Sequence, residues 1–196
     1  MYLFFDTETT GLPQKWNAPV TDLDNWPRLV QLAWILYDYK GQELKKVNQI
    51  IQPEGFRIPT EAAKIHGITI ERANTEGILL HTALEEFATV LKEAQFLIAH
   101  NISFDQMIIG AEFLRKNIPN KLNTIQKICT MKTTANVCKI PGRTGLKWPN
   151  LTELHKTLFN KGFSNAHDAL ADVKACADCF FELQKRGMYQ QQASLF

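Results

Sequence analysis

Apolar residues run unbroken from Tyr2 to Phe5 and stop at Asp6, the pattern of a short strand buried on both faces. A segment rich in Gly, Pro and Asn follows, from Gly11 to about Pro27, and reads as a long loop. Arg28 to Tyr39, rich in Val, Ile, Trp and Tyr, predicts a second strand. Lys40-Gly41 supplies a turn into a third strand over about Leu44–Ile51, so the chain should open with a three-stranded antiparallel meander. The period then becomes helical. Thr60–Lys64 forms a short helix closed by His66-Gly67. A longer helix over about Thr82–Lys92 carries Leu84, Phe87, Ala88 and Leu91 on one face. A buried strand Phe96–Ala99, a helix over about Ser103–Lys116 and a strand near Lys127–Thr130 come next. Two more helices, Leu151–Leu158 and Ala169–Gln184, complete the order. Asn150 with Glu153 gives the first of these a capping-box start, and Gly187 stops the second. Strands followed by alternating helices and strands specify an α/β fold, a mixed sheet flanked by helices. With no repeat or internal linker, one domain is expected over 1–187, followed by a flexible tail at 188–196.

Composition adds bounds rather than direction. At 196 residues, 45% hydrophobic and 21% charged, the chain suits one globular domain with a sizeable core. A net charge of +2 means that any nucleic-acid contact must come from a local groove or from bound cations. The N-terminus has no basic stretch and no secretory apolar core, and no run approaches the roughly 20 apolar residues of a membrane span. A cytoplasmic protein without membrane partners is the expectation. Cys176-x-x-Cys179 has no second CxxC to complete a four-ligand zinc site, so it reads as core thiols on a helix.

Candidate chemistry lies in the acidic residues. In Asp6-Thr-Glu8, residues i and i+2 of a strand share a face, so two carboxylates stand together at the carboxyl end of a buried strand. Such a pair repels unless a cation neutralises it. Asp105, in His100-Asn101-Ile-Ser-Phe104-Asp105, follows another buried strand and falls in the first turn of a helix, where the dipole favours negative charge. His167 and Asp172 flank the start of the last long helix. Five residues apart on a regular helix they would diverge by about 140°, so His167 is placed at the helix entrance with Asp172 one turn inside. Taken singly, each has a plainer reading: a solvated strand end, a helix cap, a capping neighbour. Together, carboxylates from three segments beside buried elements form a set of hard oxygen ligands suited to Mg²⁺ or Mn²⁺ rather than zinc or copper. Two such ions about 3.5–4 Å apart clamp the attacking and leaving oxygens of a phosphodiester.

Asp6-x-Glu8, Asn101-x-x-Phe104-Asp105 and His167-x₄-Asp172 resemble, in order and separation, the three motifs of the DEDDh exonucleases. This family includes the proofreading epsilon subunit of bacterial DNA polymerase III, oligoribonuclease and RNase T. The resemblance covers residues 1 to about 184. It implies a ribonuclease-H-like fold and a two-metal 3′→5′ exonuclease releasing nucleoside 5′-monophosphates. On that analogy Asp6 bridges both ions, Glu8 and Asp172 hold the one that activates water, and Asp105 supports the other. His167 would take the proton of the attacking water. Glu61 and His66, in Glu61-x₄-His66-Gly-Ile, resemble the segment that contacts the terminal nucleotide in the epsilon branch, and Thr9, Gly11, Leu12 and Asn101 are expected near that nucleotide too.

The chain departs from the family between Leu12 and Arg28, where the Pro13–Pro27 loop is longer than usual. Its Trp16 and Trp26 could stack on bases or anchor the loop. Gln31 stands where many relatives carry Glu. Lys139, Arg143 and Lys147 either steer phosphates or form a solvated loop. At the end, Gln192-Ala-Ser-Leu195-Phe196 resembles the peptide by which bacterial polymerases bind the β sliding clamp, Leu195 and Phe196 filling an apolar pocket and Gln192 fixing register. The epsilon branch continues past such a motif into a polymerase-binding segment, which is not seen in this sequence. The expected substrate is a single-stranded or frayed 3′ end of DNA. RNA trimming and a non-catalytic clamp adaptor are the alternatives.

Overall fold

A computed structural model describes residues 1–189; Gln192, Leu195 and Phe196, the expected clamp-binding residues, lie outside the described residues. The first strand, β1 (Tyr2–Thr9), decides the layering, because its alternate side chains enter two different cores. Leu3 and Phe5 join one core, which holds Leu32, Trp34 and Leu36 of β2 (Leu29–Tyr37) and the helices α3 (Leu80–Glu93) and α4 (Ile102–Lys116). Tyr2 and Phe4 join the other, with Ala33, Ile35 and Tyr37 of β2 and the long helix α8 (Ala169–Lys185). All nine residues of β2 are buried, which is why its sequence is apolar on both faces apart from Gln31 and not an alternation.

The five-stranded sheet has the order β3-β2-β1-β4-β5, with β3 (Glu43–Ile50), β4 (Phe96–Ala99) and β5 (Gln126–Cys129). β1, β2 and β3 pair antiparallel as the meander the sequence predicts, whereas β4 pairs parallel to β1 and β5 parallel to β4. The carboxyl ends of β1 and β4 therefore lie side by side. At that end the β1–β2 register shifts between Glu8 and Thr9. Bulges of this kind re-aim side chains next to functional sites.

Between β3 and β4 the chain forms α1 (Thr60–His66), ended by Gly67 at φ 73°, and α2 (Ile70–Glu76), which the periodicity did not predict. Ala73 alone of α2 is buried, so its apolar stripe is too thin to read. After β5 come the one-turn helices α5 (Thr130–Thr133) and α6 (Ala135–Cys138). A small hairpin of β6 (Pro141–Gly142) and β7 (Gly145–Leu146) follows, then α7 (Leu151–Phe159). The Asn150–Glu153 capping box is formed in full. Packed chain runs past the expected boundary at Gly187. Met188 and Tyr189 lie against the α7–α8 contact, with the Tyr189 ring stacked 4.9 Å from Phe180. Cys176 and Cys179 are free thiols buried in α8, and burial pushes both up, Cys179 to about 12. Among the described residues no helix is long and apolar enough to cross a membrane.

The loop between β1 and β2 is tied down along its length. Lys15 and Asn25 exchange two hydrogen bonds, Lys15 N to Asn25 Oδ1 at 2.7 Å and Asn25 Nδ2 to Lys15 O at 3.0 Å. Trp26 is 3% exposed and donates its indole N–H to Pro19 O at 3.0 Å, while Arg115 of α4 donates to Trp26 O at 2.8 Å. Fully buried Glu112 of α4 accepts from Arg28 Nε at 2.8 Å and from Leu29 N at 3.0 Å, so helix, loop and strand are fastened together. The two tryptophans part company here: Trp26 anchors the loop, whereas Trp16 stays 59% exposed.

Candidate active site: a carboxylate cluster beside an apolar pocket

The alternation that sends Tyr2 and Phe4 toward α8 continues past the end of the apolar run. Asp6 and Glu8 consequently face the same side as Tyr2 and Phe4, and the first turn of α8 brings Asp172 to meet them. Carboxylate oxygens of Asp6, Glu8 and Asp172 lie within 4.8 Å of one another. Asp105 is not in that tight group. It arrives from α4 on the opposite side of β1, where Thr7 points. Both the Thr7 backbone N–H (3.1 Å) and its hydroxyl (2.7 Å) donate to Asp105 Oδ1. Asp105 is 3% exposed and remains close enough to Asp6 to repel it.

Crowding shows in the acidities. Burial pushes the Asp6 carboxyl well above the usual carboxylate range, and Asp105, Asp172, Glu8 and Asp168 push it further. Glu8 is raised to about 8 by burial and then by Asp172, Asp105 and Asp168. Burial raises Asp105 to about 7 against the lowering effect of the Thr7 bonds, and raises Asp172 to about 6 against the pull of His167. A carboxyl raised in the folded state stabilises the fold fully below its unfolded value of about 4, and that contribution is lost as pH climbs through the folded value. In buffer freed of divalent cations, melting temperature should therefore fall by at least a few degrees between pH 5 and pH 8. Calorimetry checks this, and a melting temperature that rises over that interval would contradict the assignment.

His167 precedes the Asp168 cap of α8 and has left-handed backbone at φ 72°. The turn aims its N–H at Asp172 Oδ2, 3.1 Å away, while the residue itself is exposed. Left-handed backbone is uncommon outside glycine, although His is among the residues enriched there. Sequence reasoning overlooked two neighbours, Thr7 and Asp168, and noted a third, Gln31, without giving it a role. Thr7 was passed over because the pairing of Asp6 with Glu8 draws attention to the other face. Asp168 caps α8 by accepting from Ala171 N at 3.1 Å and adds its charge to the cluster. Gln31, opposite Glu8 in the β1–β2 register, accepts from Ala169 N at 3.3 Å and donates to Asn48 Oδ1 at 2.8 Å, fastening the start of α8 to the sheet.

Beside the cluster lies a largely apolar pocket of about 330 Å³. Glu8, Thr9, Gly11, Leu12, Glu61 and His66 line it, so most of the residues expected around a terminal nucleotide meet here. Asn101 does not line this pocket. It caps α4 at φ 71°, its side chain accepting from Ser103. His66 is buried with Nδ1 accepting from Ile68 N at 3.1 Å, and its Nε2, close to the Thr9 backbone, has no hydrogen-bond partner among the described residues. A buried ring nitrogen left unpaired at a pocket wall is a feature that a bound ligand can satisfy. Burial lowers the His66 pKa against an opposing pull from the Thr9 backbone.

Residues 3–180 match the family model RNase T, described as Exonuclease. The chain belongs to this exonuclease family. It is similar to the DNA polymerase III epsilon subunit of Buchnera aphidicola (29% identity over 143 residues, 72% of this chain and 57% of that protein). It is also similar to the PolC-type DNA polymerase III of Lactococcus lactis, at 26% identity over 92% of this chain and 10% of that protein. Among solved structures, E. coli exonuclease I in complex with a dT13 oligonucleotide superposes with TM-score 0.76 at 22% identity, over 98% of this chain and 42% of that one. The chain thus spans less than two thirds of the length of these relatives. The solved structures share the fold, a ribonuclease-H-like mixed sheet flanked by helices.

Proposed function

We propose that this domain is a 3′→5′ exonuclease that removes nucleoside 5′-monophosphates from single-stranded or frayed 3′ ends of DNA, in proofreading or repair. One observation carries the reading: Asp6, Glu8 and Asp172 converge within 4.8 Å at the rim of an apolar pocket walled by Thr9, Leu12, Glu61 and His66. Divalent cations fit this donor set, because its acids are raised by burial and then by mutual repulsion, and offer only hard oxygen ligands, without thiol or imidazole. Asp6, Glu8 and Asp172 would hold the cations, Mg²⁺ or Mn²⁺, with Asp105 contributing from the α4 side. Such cations stabilise the charge that grows on the phosphate oxygens during hydrolysis.

In this reading the pocket takes the terminal nucleotide and the scissile phosphate lies over the carboxylates. His66 Nε2, unpaired in the free protein, meets a polar group of that nucleotide, and Glu61 borders it. His167 accepts the proton of the attacking water, placed for this by the bond from its N–H to Asp172. The water oxygen attaches to phosphorus as the bond to the preceding 3′ oxygen breaks, leaving a 5′-monophosphate and a strand with a new 3′-hydroxyl. The cations engage phosphate and do not read the sugar, so the preference for DNA over RNA rests on similarity to DNA polymerase III proteins. The likeness of Gln192, Leu195 and Phe196 to a clamp-binding peptide points the same way, from sequence alone. An adaptor without catalysis would gain nothing from a self-repelling acidic cluster.

The test is incubation with 5′-labelled single-stranded DNA and matched RNA in Mg²⁺, Mn²⁺ or EDTA. Stepwise shortening of DNA from its 3′ end, abolished by EDTA, is expected. No cation-dependent shortening by folded protein would reject the nuclease, and a dominant preference for RNA would replace proofreading by RNA trimming.

A further inference from the structure

We infer that Trp16 is a stacking platform for the unpaired nucleobase next to the terminal one, extending the substrate site beyond the pocket; this rests on the nuclease reading above. Phe104, the neighbour of Asp105, lines the pocket, and the Trp16 ring lies outside that lining with its centroid 5.8 Å from the Phe104 ring, tilted by 47°. The indole therefore adjoins the pocket wall at Phe104, and in this proposal the strand passes over it on leaving the pocket. It is 59% exposed, and Leu12 (72%) and Ile65 (60%), both of the pocket lining, are exposed too. A large apolar ring is held in water at the rim of a site meant for a planar aromatic ligand.

That exposure is built in. The mutual bonds between Lys15 and Asn25 lock the backbone immediately before Trp16. Asn25 is 6% exposed and also accepts from Gln14 N through its backbone, at 3.3 Å. Val20 packs so closely on Gly110 of α4 that an added Cβ there would fall 2.9 Å from it, which fixes the loop against the helix. The loop spends its other tryptophan, Trp26, on anchoring and leaves Trp16 fixed and uncovered. Pre-set aromatic faces hold bases by stacking irrespective of sequence, so the occupant is an unpaired base of any identity, and a paired end must open by more than its last nucleotide to reach it.

The experiment is a coupling cycle between protein and strand. KM in Mg²⁺ is measured for wild type, Trp16→Ala and Trp16→Phe on an oligothymidylate and on the same strand with an abasic residue at the penultimate position. Wild type should show about a tenfold higher KM for the abasic strand, with kcat changed less than twofold. Trp16→Ala should raise KM for the intact strand about tenfold and no longer distinguish the two strands, and Trp16→Phe should restore most of the difference. Anisotropy of fluorescein-labelled strands in EDTA repeats the cycle without turnover. Equal discrimination by wild type and Trp16→Ala overturns the platform, and so does coupling that appears only with the abasic residue at the terminal position. Hydrolysis without coupling removes the platform alone. Coupled binding without hydrolysis removes the nuclease reading and leaves the platform standing.

Discussion

Replacing Asp6 by Asn should lower kcat by at least about 10³-fold, roughly 4 kcal/mol of transition-state stabilisation, and yet raise the melting temperature of the cation-free protein at pH 8. Both effects come from one position. Asp6 is the residue on which every other acid of the cluster acts: Asp105, Asp172, Glu8 and Asp168 all push its carboxyl upward. Asn keeps the shape of the side chain and removes the charge that burial and these neighbours oppose. The fold without cations is relieved of repulsion, while the ligand set loses its central member and its hold on divalent ions. Single-turnover rates and melting curves with and without Mg²⁺ check this. Wild type should gain melting temperature on adding Mg²⁺ at pH 8, and Asp6→Asn should gain little. A variant within tenfold of wild-type rate would remove Asp6 from the chemistry. One that melts lower than wild type in EDTA at pH 8 would refute the electrostatic account.

Replacing His167 by Gly should lower kcat by about 10²–10⁴-fold, the range of a positioned proton acceptor, while leaving cation binding near wild type. Glycine is the informative choice because His167 sits at φ 72°, which glycine adopts without strain. The backbone bond from residue 167 to Asp172 is retained, so a loss of rate reports the imidazole and not the turn. His167 is exposed, so added imidazole can reach the vacated space and should restore part of the rate. Unchanged rate would dismiss His167 as the base. A lost Mg²⁺ response would make it a positioning residue for Asp172.

Much of this site was legible because strand alternation is a strict rule. Once Tyr2–Phe5 is a buried strand, Asp6 and Glu8 must share a face, and the structure places them so. The same rule assigns Thr7 to the other face, where it holds Asp105, but a threonine among apolar and acidic neighbours carries no chemical signal of its own. The roles of Asp168 and Gln31 were illegible for a different reason: beyond the local cap that Asp168 makes, they meet each other and Gln31 meets Ala169 across more than a hundred residues, which no local pattern encodes. Helix α2 has too narrow a buried stripe, and the β6–β7 hairpin strands are too short for a period of two to register. Trp16 and Trp26 look alike in sequence, and only the contacts of their loop separate them. The charged edge strand explains why β3, with Lys45 and Lys46 facing water, still read as a strand: Val47, Ile50 and its partner β2 supplied the rest of the signal.

Glu112 has a consequence for kinetics. Shared by Arg28, the Leu29 N–H and Arg115, it welds α4 to the base of the 13–27 loop. The entropy of ordering that loop is thus surrendered when the chain folds and not at each encounter with a strand. An arriving 3′ end meets a wall already set. The rate of productive association should then follow how often ends arrive and how long they stay unpaired, with no slow rearrangement of the protein between collision and binding.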